Sequence, residues 1–183
     1  MRLPYVPVPV PTTTPEDAAV VERIAARRAP RPLLELDRAL LHSPPIADGW
    51  NSLLGAVRTR TLLPADVVEL AICAVAAANN AAYEWAAHAP LARAAGVSDA
   101  GIDAVRACRA DGDALGDVQK VAVEYALAMT RDVQVSDELF SRVRAHFDDR
   151  QVVELTTVIA AYNCVSRFLV ALDVGERNGQ PLE

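Results

Sequence analysis

Cysteine is scarce in this chain, and the little there is lies scattered. Cys73, Cys108 and Cys164 are the three present. They form no CxxC and no metal-ligand spacing, so no metal site is expected. A reduced, cytoplasmic setting is the simplest expectation for such thiols. Clustered positive charge is missing as well. The formal net charge is −6, and Arg27 and Arg28 form the one adjacent basic pair. That excludes the basic stripe with which a protein displaces counterions from nucleic acid. The best apolar run, Leu70 to Ala78, is far too short to span a bilayer, and no charged leader precedes it. Neither nucleic acid nor a membrane is an expected partner. Aromatic residues make up only 5%, so the core has to be built from close contacts between small side chains. No alternating apolar–polar strand is found anywhere.

What is present favours helices. Hydrophobic residues are 52% and charged residues 23% of the 183, a folded composition long enough for one well-cored domain. The excess of alanine over β-branched residues points to an all-α chain. Residues 1–15 hold five of the twelve prolines and are expected to lie extended, strapped down by Leu3, Tyr5 and Val6. Residues 16–183 form the helical domain. Thr14-Pro15-Glu16-Asp17 predicts a capped helix start, with that helix running to Arg28 and further helices at 33–41 and 46–58. The apolar helix 67–79 is followed by one ending at Gly96, then by helices at 98–110, 116–130, 136–146 and 149–175. The run Val67-Val68-Glu69-Leu70 is echoed by Val152-Val153-Glu154-Leu155, each followed by small residues and an asparagine. Common ancestry of two helical hairpins and the sheer abundance of Ala and Val account for this equally well.

Helical projection locates the candidate chemistry. Residues four apart differ by about 40° around the axis, so Glu84 and His88 share a stripe with Ala81, Leu91, Ala92 and Ala95. A carboxylate on a small apolar face needs a partner, and His88 is one turn away. On the preceding helix, Glu69, Cys73, Ala76 and Asn80 share a face on which Glu69 is the sole charge. Pro90 should bend the axis just beyond His88. Tyr83, Trp85, Asn80, Cys73, Asn163 and Arg167 are candidate substrate contacts. Plainer roles exist for each: Glu–His pairs at this spacing are common on solvated faces, and Glu69 has Arg58 or Arg60 as alternative partners. Tyr83 and Trp85 more often pack than stack on ligands, and Arg167 more often makes a salt bridge. His42 and His146 fall at helix ends, where solvation is expected.

The segment VELAICAVAAANNAAYEWAAHAPLARAAGVS resembles the core signature of the carboxymuconolactone decarboxylase family, which includes the alkylhydroperoxidase D branch. RLPYVP, LDRALLHSPPIADGWNSLLGAVRT and VIAAYNCVSRFLVALDVG extend the resemblance to nearly the whole chain. It implies a single-domain helical bundle around a helical hairpin, assembled as a homotrimer or homohexamer with the site near subunit contacts. The peroxidase branch carries a CxxC followed four residues later by histidine, with a glutamate twelve residues before the first cysteine. His88 and Glu69 occupy the matching places, but Ala81 and Glu84 stand where the cysteines would be. Without two thiols no disulfide can form and be re-reduced, so the usual peroxidase cycle is not expected. The resemblance instead implies cofactor-free acid/base chemistry on a small lactone or carbonyl acid. In that scheme His88 is the general acid/base, Glu84 orients it, and Glu69 is the second carboxylate. A redox protein using Cys73 with Glu69 and His88, or a non-catalytic ligand binder on the same scaffold, are the alternatives.

Overall fold

The computed structural model describes residues 1–183 and is all-α, with nine α-helices, one short 3-10 turn and no strand. The helices are α1 (Pro15–Arg28), α2 (Glu35–Leu40), α3 (Pro44–Thr59), α4 (Ala65–Ala78), α5 (Ala82–Ala94), α6 (Asp99–Arg106), α7 (Asp117–Arg131), α8 (Asp137–His146) and α9 (Asp149–Leu172). Most expected boundaries hold to within two residues. α6 is shorter than expected because Cys108 turns left-handed, at φ 53°. α9 stops at Leu172 because Asp173 and Gly175 adopt positive φ, after which Val174–Glu176 winds as a 3-10 turn.

Contacts divide the chain into two compact units. The first comprises Met1–Arg60 and Leu172–Glu176, so the segment 1–15 belongs to a larger unit and the division falls after Arg60. Thr14 caps α1 by accepting from the Asp17 amide at 3.1 Å, and Pro15 occupies the first helical position, where no N–H is missed. Buried Asp37 of α2 accepts a two-pronged bond from Arg28 at 2.7 and 2.8 Å. The arm is strapped through Tyr5 and Val6 as expected, whereas Leu3 remains exposed. Tyr5 accepts from the Gly175 amide at 2.8 Å and lies under the Arg38 guanidinium at 5.1 Å. His42 is exposed, as expected, and also donates to the Pro4 carbonyl at 2.6 Å.

The second unit, Thr61–Ala171 with Arg177–Glu183, is organised around α4. Every residue from Val67 to Ala76 is buried, and Leu70 to Ala76 are 0% exposed. α5, α6 and α7 all pack against this helix. The small residues Ala71, Ala74 and Ala76 let the neighbouring helices approach closely, which is how a core with few aromatics reaches native density. α9 is long and apolar enough by length and composition to cross a membrane, with mean hydropathy 1.5. Its apolar residues have another use: Leu155, Val158, Ile159, Tyr162 and Leu169 recur at helical spacing and are buried in the protein.

Leu70 is fully enclosed, so its truncation leaves a cavity that close-packed neighbours cannot fill. Leu70→Ala is expected to lower stability by about 2–5 kcal/mol. Urea denaturation should show this as a lower midpoint with an unchanged slope.

Candidate functional site

α4 and α5 form a helical hairpin joined by Asn79, Asn80 and Ala81. Asn80 takes the left-handed conformation at φ 51°, which asparagine tolerates better than most residues, and the Ala81 amide closes the turn on the Ala76 carbonyl at 2.8 Å. α4 therefore ends before Asn80, and that residue is exposed in the turn. The expected shared face with Glu69 and Cys73 is lost because helical projection cannot be carried past a helix end.

The inward side of α5 is centred on Trp85, Ala89 and Ala92, each 0% exposed. Glu84 and His88 flank that side, and Leu91 points outward. The helix runs on through Pro90 to Ala94. His88 is part-buried, and its Nδ1 lies 2.7 Å from Oε2 of Glu69 on α4. The side chains of His88 and Glu69 are 13% and 8% exposed. The pairing expected within α5, Glu84 with His88, thus gives way to one across the hairpin. The reason is that α4, apolar on every side, presents a carboxylate that has to be compensated. With Glu69 as acceptor, Nδ1 is the donor, which leaves Nε2 as the basic nitrogen of the neutral ring. The edge of one ring meets the face of the other between His88 and Tyr162 of α9, centroids 5.0 Å apart at 86°. Tyr162 was not singled out in the sequence, although it lies on the buried stripe of α9, in register with Leu155 and Leu169.

Glu84 is the anomaly. It is 2% exposed, and neither carboxyl oxygen has a hydrogen-bond partner. Burial holds its carboxyl protonated well above the ordinary value of 4.5. Cys73, 0% exposed on α4, is close enough to feel both carboxyls. Burial first, then the fields of Glu69 and Glu84, push its thiol far up, with Arg93 opposing. Such a sulfur stays protonated and is a poor nucleophile.

The remaining candidates serve the scaffold. Trp85 is enclosed, with the Arg106 guanidinium 5.5 Å from its ring, so it is not available for stacking on a ligand. Tyr83 is half-buried. The Asn163 amide donates to Thr130 Oγ1 at 2.9 Å and to the Ile159 carbonyl at 3.1 Å. Its oxygen accepts from Asn79 at 3.2 Å and from Arg167. All four positions of that amide are used, so Asn163 ties α4, α7 and α9 together and does not reach for a ligand. Arg167 also donates to the Asn163 carbonyl at 3.0 Å. The two asparagines of the sequence echo therefore meet, whereas its two glutamates diverge: Glu154 accepts from Arg150 and from the Leu62 amide, at 2.8 and 2.7 Å. No three His, Cys, Asp or Glu side chains converge as a metal-ligand set.

Proteins of known structure share this all-helical fold. A peroxidase-related protein of Ralstonia eutropha, described as an alkylhydroperoxidase AhpD core, superposes with a TM-score of 0.77 at 20% identity, covering 94% of this chain and 90% of that one. The debrominase Bmp8, as a cysteine-to-alanine variant bound to 2,3,4-tribromopyrrole, gives a TM-score of 0.69 at 16% identity, covering 93% and 92%. At such identities these structures establish the fold alone. YnjA of Escherichia coli is 39% identical over 59 residues, which span 32% of this chain and 32% of YnjA. Residues 44–129 match the model of the carboxymuconolactone decarboxylase family. That match spans somewhat less than half of the chain and shows a likeness to the family over its central helices.

The state of Glu84 has a measurable consequence. Its carboxyl holds a proton to higher pH in the folded chain than in the unfolded one, whose value is near the ordinary 4.5. The stability this contributes is complete below that lower value and is lost as pH rises toward the folded one. Glu84→Gln removes the titration while keeping the shape. Relative to the wild type, the variant's melting temperature is expected to rise between pH 5 and pH 8, as followed by thermal denaturation across a pH series.

Proposed function

We propose that this protein is a cofactor-free acid/base enzyme that moves a proton on a small lactone or carbonyl acid, in a decarboxylation or an isomerisation. The observation that carries the reading is the bond between His88 Nδ1 and Glu69 Oε2 at 2.7 Å. A carboxylate on Nδ1 fixes the tautomer, stabilises the imidazolium once formed, and aims Nε2 for proton transfer. Glu69, and not Glu84, is the orienting carboxylate in this reading. In a decarboxylation, the neutral imidazole first takes the proton of the substrate's carboxylic acid, the electron pair left by departing CO2 enters the adjacent carbonyl as an enolate, and the imidazolium returns that proton to carbon. The expected homotrimeric or homohexameric assembly remains part of the proposal.

Two alternatives are less well supported. A thiol-redox role needs a ready thiolate, and Cys73 is buried beside two carboxyls that hold its proton on. Cys108 and Cys164 are free thiols of half-buried and exposed character. A purely structural role would be favoured by a closed site with every polar atom paired, and it leaves the two unpartnered oxygens of Glu84 unexplained.

The test is a screen of small lactones and β-keto acids for CO2 release or double-bond migration. His88→Ala is expected to lower kcat by about 10²–10⁴-fold, the usual range for a positioned acid/base group. Glu69→Gln should lower it too, with little change in KM, because the ring loses its fixed tautomer. Full turnover in His88→Ala would falsify the assignment.

A further inference from the structure

Two carboxyls stand near His88 in unlike surroundings. Glu69 holds the imidazole, while Glu84 is enclosed with both oxygens unpartnered. A buried carboxyl with no hydrogen bond is costly, by about 1–3 kcal/mol for each unsatisfied group. Hydrophobic substitution at this position would remove that cost, so its presence calls for a use. Pairs of acids held in contrasting environments are the usual way a site divides acid from base work.

Geometry limits what that use can be. Glu84 and His88 are one helical turn apart, with Cβ atoms roughly 5–6 Å from each other. That span accommodates the three-atom unit of a carbonyl oxygen, its carbon and the adjacent C–H carbon. Within such a unit, the base acts at one end and an acid is needed at the other. Other titratable and charged groups stand on the surrounding elements. Cys73 and Glu69 lie on α4, and Glu69 is bonded to His88. Arg93 of α5 is bonded to Asp99 at 2.8 Å, Arg106 of α6 lies over Trp85, and Tyr162 of α9 meets the His88 ring.

We propose that Glu84 is the acid partner of the Glu69–His88 dyad, donating to the carbonyl oxygen of a small lactone or keto acid while His88 takes the proton from the adjacent carbon. This rests on the acid/base reading above and narrows it to substrates with a C–H next to a carbonyl. The substrate approaches by way of the partly exposed His88 and turns its carbonyl oxygen toward the enclosed Glu84. His88 Nε2 removes the α-proton, and the C–H electron pair becomes the double bond to the carbonyl carbon. The carbonyl π pair moves onto oxygen, which takes the Glu84 proton and gives an enol. For an unsaturated lactone the enol O–H then returns its proton to the Glu84 carboxylate. The electron pair shifts through the diene, and the γ-carbon takes the proton from the His88 imidazolium. The double bond has migrated, both groups are restored, and no oxidant or reductant is consumed.

α-Angelica lactone, whose double bond migrates into conjugation by this route, is the probe. Migration is followed by ultraviolet absorbance and by NMR of deuterium entering the γ-carbon from heavy water. Infrared difference spectra of wild type against Glu84→Gln report the carboxyl directly. At neutral pH the wild type should show a protonated-carboxyl band that the variant lacks, and the lactone should shift it to lower frequency. Glu84→Ala should lower kcat by about 10²-fold or more, with KM little changed. Glu84→Gln, which still donates N–H, should retain more activity and lose the alkaline decline of the wild-type rate. A missing or unmoved band overturns the proposal. So does a fully active Glu84→Ala beside an inactive His88→Ala, an outcome that leaves the dyad reading intact. Migration undiminished in His88→Ala sinks the dyad instead, and a wild type inert to the lactone with an unmoved band sinks both.

Discussion

A helix buried on every side allows its one interior charge very few ways to exist. α4 is enclosed from Val67 to Ala76, and Glu69 lies within that span. Ionised without a partner, it would cost far more than a domain of this size has to spare. The hairpin with α5 supplies the partner, and much else follows from that requirement. It fixes how α5 is rotated, so that His88 faces α4 and Trp85 fills the core. It also fixes Nδ1 as the imidazole nitrogen that faces Glu69.

Glu84 obeys the opposite logic. It gains no partner and burial favours its protonated form, so the interior holds one hydrogen-bonded Glu–His pair and one carboxyl without a partner. In the peroxidase branch that the sequence resembles, a cysteine stands at the position of Glu84. Here a buried carboxyl takes that place. The relatives that share the fold include a peroxidase-related protein and a debrominase. A common fold hosting different chemistries is the general case, and the identity of a few side chains on the hairpin decides between them.

Much of this was legible in the sequence. The Thr14 cap, the proline-marked start of α1 and the alanine-rich helices follow from local propensity, and the structure places them within a residue or two. Glu69 and His88 stood out through the motif. Their bond did not, because helical periodicity ranks neighbours on one helix and says nothing of which adjacent helix offers a better partner. Hence Glu84, four residues from His88, looked like its mate. Asn80 was misplaced for a similar reason: one left-handed residue ends α4 and takes its side chain off the projected face. Asn163 was read as a ligand group, yet its four hydrogen-bonding positions are filled from α4, α7 and α9. Only the tertiary arrangement distinguishes a polar residue that reaches out from one that binds helices together.

The edge-to-face contact between Tyr162 and His88 couples distant parts of the chain. Tyr162 precedes Asn163, so the residue that steadies the imidazole plane is adjacent to the one that rivets α9 to the end of α4. The ring is held in its plane from one helix and by its nitrogen from another, like a gate hung on two posts. Removing the Tyr162 ring would take away one of these restraints and leave the other in place.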